Sequence, residues 1–181
     1  MFATKIITET CSPDAAISEL KKLEKQLPDK YYLNFYLGYS LLSKEEPETA
    51  LKYFRKSLDL NPTKQDLPSI YSYMGVCLKN MGKYEKGLEV LSKGEALDNE
   101  RTDIYNLMGF CHFKLKKHEE AIRCFKRVLE LDPSSAIDYA NIASNYRDMG
   151  NREKAIQYYT MALELDPSID FAKENLKKLG A

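Results

Sequence analysis

Pro28, Pro62, Asn99, Pro133 and Pro167 punctuate the chain at intervals of 34, 37, 34 and 34 residues. A period of that length means one supersecondary unit copied along the chain, a stronger constraint on the fold than any bulk property. Residues 102–135, TDIYNLMGFCHFKLKKHEEAIRCFKRVLELDPSS, read as helix, turn, helix, stop, and residues 136–169 repeat them. Working back from the punctuation gives units at 31–64, 68–101, 102–135 and 136–169, with Gln65, Asp66 and Leu67 as a three-residue insertion that accounts for the long interval.

The chemistry recurs with the period. The eighth place is Gly38, Gly75, Gly109 and Ala143, and the twentieth is Ala50, Gly87, Ala121 and Ala155. Small residues there let two antiparallel helices approach closely. Larger apolar groups flank them: Leu37, Met74, Met108 and Ile142 at the seventh place, Phe54, Leu91, Phe125 and Tyr159 at the twenty-fourth. Breakers such as Met81-Gly82-Lys83 and Met149-Gly150-Asn151 mark the turn inside a unit. Leu-Asn-Pro or Leu-Asp-Pro closes the second helix, because proline cannot continue a helix and turns the preceding residue away from the α region.

This pattern resembles the tetratricopeptide repeat family over about residues 12–179. Asn34 stands where the family often has a large aromatic, Ser57 and Val128 replace a small alanine, and Asn99 replaces the closing proline. The resemblance implies an all-α fold, a right-handed superhelical solenoid of antiparallel helix pairs. It would form a single domain, 1–181, with four full repeats, an N-terminal half-repeat at 12–28 and a C-terminal capping helix at 170–179.

Ser12-Pro13-Asp14 starts the half-repeat, with Ala16, Leu20 and Leu23 at second-helix places. It is either an N-terminal cap or the remnant of a longer array, and residues 1–11 are either a frayed turn or a docking segment. In the last helix Phe171, Leu176 and Leu179 are apolar, while Lys177 stands where glycine stands elsewhere. A lysine there opposes further stacking, so this helix is expected to be a true terminal cap. The second repeat is the expected soft spot. Gly87 and Gly94 both fall inside its second helix, at a cost of roughly 1 kcal/mol each relative to alanine.

Charge selects no partner. Lys+Arg and Asp+Glu number 27 each, so no global positive field argues for nucleic acid or an anionic membrane. The start, MFATKIITETC, has too short an apolar run for a signal-peptide core, and no stretch is long and apolar enough to span a bilayer. A soluble, cytoplasmic protein without direct membrane insertion is expected.

Cys11, Cys77, Cys111 and Cys124 show no CxxC spacing and read as reduced, mostly buried thiols. His112 falls at the eleventh place, occupied elsewhere by Leu41, Leu78 and Tyr146, and His118 at the seventeenth, beside Tyr84 of the previous unit. Both read as packing residues, without the paired spacing of a metal site. No Gly-rich phosphate loop, nucleophile elbow or HExxH occurs. The chain is therefore expected to need no cofactor and no metal and to be no enzyme.

What remains is surface shape. In the resembled family the second, fifth, ninth, twelfth and thirteenth places of each first helix face a concave groove. Here that implies Tyr32, Phe35, Tyr39 and Leu42 in the first unit, and Ser69, Ser72, Val76, Lys79 and Asn80 in the second. The third supplies Asp103, Asn106, Phe110, Phe113 and Lys114, the fourth Ile137, Ala140, Ser144, Arg147 and Asp148. Tyr32, Phe35 and Tyr39 could equally be core beneath the half-repeat, and a core position is the alternative for Phe110 and Phe113 too.

The family's carboxylate clamp for peptide C-termini finds no match: its places hold Phe35, Tyr39, Tyr73, Asp103 and Leu107 in one frame and Ser72, Val76, Leu107, Ile137 and Asn141 in the other. The expected function is a non-enzymatic scaffold or adaptor binding a protein or peptide in its groove. The alternatives are a self-associating structural module that forms a homo-oligomer through the half-repeat, or an accessory domain of a larger enzyme.

Overall fold

The computed structural model describes residues 12–180, and the readings made for residues 1–11, Cys11 included, lie outside them. The described residues form ten α-helices and no strand. They are α1 (Pro13–Gln26), α2 (Tyr31–Ser43), α3 (Pro47–Asp59), α4 (Leu67–Asn80), α5 (Tyr84–Leu97), α6 (Thr102–Lys114), α7 (His118–Leu131), α8 (Ala136–Asp148), α9 (Arg152–Leu165) and α10 (Asp170–Lys178). Their backbone contacts divide the chain into two compact units, 1–99 and 100–181. None of the described helices is long and apolar enough to cross a membrane.

Each repeat is a helical hairpin, α2 with α3, α4 with α5, α6 with α7 and α8 with α9, and the small eighth place sets the approach. A Cβ on Gly38 would stand 2.9 Å from ring carbons of Phe54, on Gly75 2.5 Å from Leu91 Cδ2, and on Gly109 2.7 Å from the Phe125 ring. The twenty-fourth-place side chain thus sits directly on the bare backbone opposite. Phe54, Leu91 and Tyr159 are fully buried there and Phe125 nearly so, each contributing roughly 1.5–3 kcal/mol of gross burial.

All four hairpin turns close in the same way. The first helix ends with a left-handed residue at the fifteenth place: Glu45 (φ 60°), Gly82 (70°), Lys116 (58°) and Gly150 (78°). In each turn the following N–H reaches back five residues, Glu46 to Leu41, Lys83 to Leu78, Lys117 to His112 and Asn151 to Tyr146, at 2.8–3.0 Å. The left-handed residue itself bonds three residues back, which completes a Schellman motif. Glycine meets the φ requirement in two turns, and in the other two a side chain tolerates it.

The second helices of the unit formed by residues 100–181 stop on Asx turns. Ser134 and Ser168 donate through backbone and hydroxyl to Asp132 Oδ1 and Asp166 Oδ1, and the Ser168 bonds hold the Asp166 carboxyl below its usual range. In the other unit the three-residue insertion acts as a tie. Tyr31 donates its hydroxyl to Asp66 Oδ2 at 2.6 Å, the Thr63 hydroxyl donates to the same carboxylate, and the bond to Asp66 raises the Tyr31 phenol above its ordinary range. Ser57, the departure from alanine, is fully buried and donates to the Tyr31 carbonyl at 3.0 Å.

The half-repeat α1 buries Ala16, Ile17 and Leu20 against α2. In α10 the fully buried residue is Ala172, whereas Phe171 is 38% exposed; Leu176 and Leu179 lie half-buried on the neighbouring core.

Candidate functional site

The residues assigned to the groove lie on the first helices, and each compact unit presents its own face. In the unit formed by residues 1–99 that face comes from α2 and α4. Tyr32 and Phe35 are half-buried and pack on the apolar core, while Tyr39 is 36% exposed. Tyr73 of α4, which the repeat places did not single out, is the hub. Phe35 and Tyr39 each meet its ring edge-on with centroids 5.5 Å apart, and Phe54 stacks on it at 5.7 Å and 14°. The sign in the sequence was the tyrosine at the sixth place in both the first and second repeats, Tyr36 and Tyr73. Such ring pairs add about 0.5–1.5 kcal/mol each beyond burial, so Tyr39 is held rigid while its outer surface stays open. Leu42, Ser69, Val76 and Lys79 are half-buried, and Asn80 is exposed.

In the unit formed by residues 100–181, α6 carries Asn106, half-buried, and Phe110, 37% exposed with the Lys114 ammonium 5.2 Å above its ring. A cation over an aromatic face at this distance is held by the ring quadrupole and fixes both side chains. Asp103 is exposed. Phe113 turns inward. It packs on the cluster of Ala121, Ile122, Phe125 and Ile142, and its ring meets the His118 ring edge-on at 5.9 Å.

Besides Phe113, four assigned residues stand differently from the expectation. Ser72 and Ala140, at 4% and 0% exposure, are too small and too deep to offer surface. Ser144 and Arg147 of α8 are engaged within the chain. Ser144 donates to the Ala140 carbonyl at 2.9 Å, so the Tyr159 hydroxyl 2.9 Å away is the donor of the pair. Burial is the main cause that pushes this phenol up. Arg147 reaches Tyr159 at 3.4 Å and Asn175 Oδ1 of α10 at 2.7 Å, and pairs with Asp148 at 2.6–2.8 Å. These side chains tie α8 and α9 to the last helix. Ile137 is 46% exposed, and Asp148 is exposed as well.

The histidines and cysteines sit as packing groups. His118 donates Nδ1 to Asn145 Oδ1 at 3.0 Å. His112 has a buried, unpartnered Nδ1, and burial lowers its imidazole below the ordinary range against an opposing pull from Glu120. Cys77 and Cys111 are fully buried and Cys124 half-buried; burial pushes the Cys77 thiol up to about 12, which leaves it inert at neutral pH. Among the described residues no three His, Cys, Asp or Glu side chains gather as a metal site requires.

Family profiles described as tetratricopeptide repeat match residues 12–64 and 100–168, and one described as anaphase-promoting complex, cyclosome, subunit 3 matches residues 62–128. The chain belongs to the tetratricopeptide repeat family. No curated protein matches it by sequence. Among solved structures it is similar to YrrB, described as a TPR protein with an unusual peptide-binding site: TM-score 0.80, 22% identity, 91% of this chain and 84% of that one. It is similar also to MamA residues 41 to the end from Desulfovibrio magneticus RS-1, with TM-score 0.84, 20% identity and 93% of each chain. A thermophilic TPR protein of Thermus thermophilus aligns at TM-score 0.67 and 20% identity over 92% of this chain and 90% of that one.

Proposed function

We propose that this chain is a non-enzymatic protein-interaction module whose first helices hold a peptide or extended protein segment by aromatic anchors. The observation that carries the reading is the ninth place. Tyr39 and Phe110 occupy it in different repeats, and both keep more than a third of their surface exposed while neighbouring rings or a lysine hold them in position. Rigid, partly exposed aromatics at equivalent places are what an interface uses as anchors, and Asn106, Val76, Lys79 and Lys114 supply polar and apolar neighbours that fix register. Membership of the repeat family and the peptide-binding site named for YrrB point the same way.

The test is selection of binding peptides from a random display library on the intact chain, followed by affinity measurement on Tyr39→Ala and Phe110→Ala. Both variants should keep wild-type helicity, because each side chain is partly in solvent. Loss of one anchor is expected to weaken the selected peptides by about tenfold or more. Peptides held equally by the wild type and both variants would overturn the reading. Phe113 is unsuited to this test, since its packing role would confound the result.

A further inference from the structure

A pocket of about 300 Å³ lies within the unit formed by residues 1–99, lined by none of the residues assigned to the groove. Its apolar lining is Leu51 of α3, Leu78 of α4 and Met81, the residue that ends α4. Around these stand Lys52 and Arg55, one helical turn apart on α3, and Lys83 and Lys86 at the start of α5, against a single carboxylate, Glu48. All five charged side chains are exposed, and none makes an ion pair within 4 Å among the described residues. In a chain whose charges balance overall, this is a local excess of three positive charges over an apolar floor.

The other unit provides an internal comparison, because the same repeat places recur there. Leu51 and Leu78 correspond to Ile122 and Tyr146, Lys52 and Arg55 to Arg123 and Lys126, and Lys83 and Lys86 to Asn151 and Lys154. The larger Tyr146 replaces the leucine, and the Lys154 ammonium lies 5.1 Å over its ring. Arg123 stands 3.7 Å from Glu120. Two of the matching cations there have a partner, Arg123 in Glu120 and Lys154 in the Tyr146 ring, whereas Lys52, Arg55, Lys83 and Lys86 make no ion pair among the described residues.

We propose that this pocket binds an acidic peptide segment of a partner protein, one apolar side chain entering between Leu51, Leu78 and Met81 and flanking carboxylates meeting Lys52, Arg55, Lys83 and Lys86. The volume lies at the lower limit of small-molecule pockets, roughly 300–1,000 Å³, and suits one or two side chains. No aromatic residue lines it, so the stacking that holds single-stranded nucleic acid is missing. Charge complementarity at an exposed rim supplies orientation and on-rate, and the apolar anchor supplies the rest. This surface shares no residue with the ninth-place face, so the two readings stand or fall separately.

The experiment uses the intact chain and three synthetic peptides: a leucine flanked by glutamates, the same peptide with glutamines, and the same acidic peptide with alanine for leucine. Binding is read by fluorescence anisotropy at low and high salt. The acidic leucine peptide should bind, weaken with salt, and exceed both controls. Lys52→Glu with Arg55→Glu should weaken it by about tenfold or more, since two attractive pairs become repulsive. Arg123→Glu with Lys126→Glu makes the same change of net charge at the matching places of the other unit and should leave affinity within about twofold, as expected for a site-specific contact. Failure of the acidic peptide to bind, equal binding of the glutamine peptide, equal weakening by both charge reversals, or preference for anionic vesicles or single-stranded RNA would each overturn the proposal.

Discussion

Two asparagines with nearly the same burial should respond oppositely to one substitution. Asn34 and Asn145 are 0% and 1% exposed. Asn145 is fully engaged, accepting from His118 Nδ1 at 3.0 Å and donating to the Asn141 carbonyl at 2.9 Å. Asn34, at the place where the family often carries an aromatic, has neither amide atom bonded. An unsatisfied buried polar group costs about 1–3 kcal/mol, whereas removing it in favour of an apolar group of similar shape recovers that cost. Asn34→Leu should therefore raise stability by about 2 kcal/mol or more. For a chain of this size that corresponds to roughly 4–8 °C in the unfolding midpoint.

Asn145→Leu, by contrast, strands the His118 ring nitrogen and should cost about 1–3 kcal/mol. Thermal and urea unfolding followed by far-UV circular dichroism measures both. A lowered midpoint for Asn34→Leu, or shifts of the same sign for the two variants, would refute the reasoning.

Other expectations follow from features already described. Gly150 adopts φ 78° with nothing within 4 Å of a built Cβ, so Gly150→Ala should cost about 1 kcal/mol through backbone strain alone, while Lys116→Gly should gain a similar amount; urea midpoints check the pair. Because the folded-state pKa of His112 is depressed, stability should be fully present above about pH 6.5 and fall as pH drops through the folded value, and His112→Leu should flatten that dependence in unfolding measured from pH 7.5 to about 5. Amide exchange should be faster in α5 than in α7, since two of the three buried residues of α5 are Gly87 and Gly94 while α7 buries Ala121, Ile122, Phe125 and Val128; equal protection would contradict it.

The helices were legible because the apolar spacing and the prolines repeat, and four copies let a weak signal in one be checked against the others. The eighth-place glycine against the twenty-fourth-place ring was readable for the same reason. Two of the hairpin turns were not marked, because Glu45 and Lys116 take a left-handed conformation that only glycine announces in a sequence.

The site was less legible. A repeat place defines which way a side chain leaves its helix, but not what neighbouring helices do with it. Ser144 and Arg147 lie on the expected helix and are captured by Tyr159 and Asn175, partners several turns away in sequence. Tyr73 was missed for the converse reason: its importance comes from rings on other helices, Phe35, Tyr39 and Phe54. The cations gathered around Leu51 and Leu78 are invisible to a net-charge count, since they are offset elsewhere along the chain.

The Schellman closures have a bearing on how such a chain can change length. Each one is made by backbone groups alone and seals its hairpin with a fixed number of residues whether the left-handed place holds glutamate, glycine or lysine. An added residue there would break two hydrogen bonds at once. The joint between the first two hairpins is more accommodating: it holds the three extra residues Gln65, Asp66 and Leu67, and Asp66 serves there as acceptor for Tyr31 and Thr63. Insertions, tags or grafted loops should be absorbed at the joint that follows α3 and rejected at the hairpin tips, so one kind of bend is fixed in length and the other is editable.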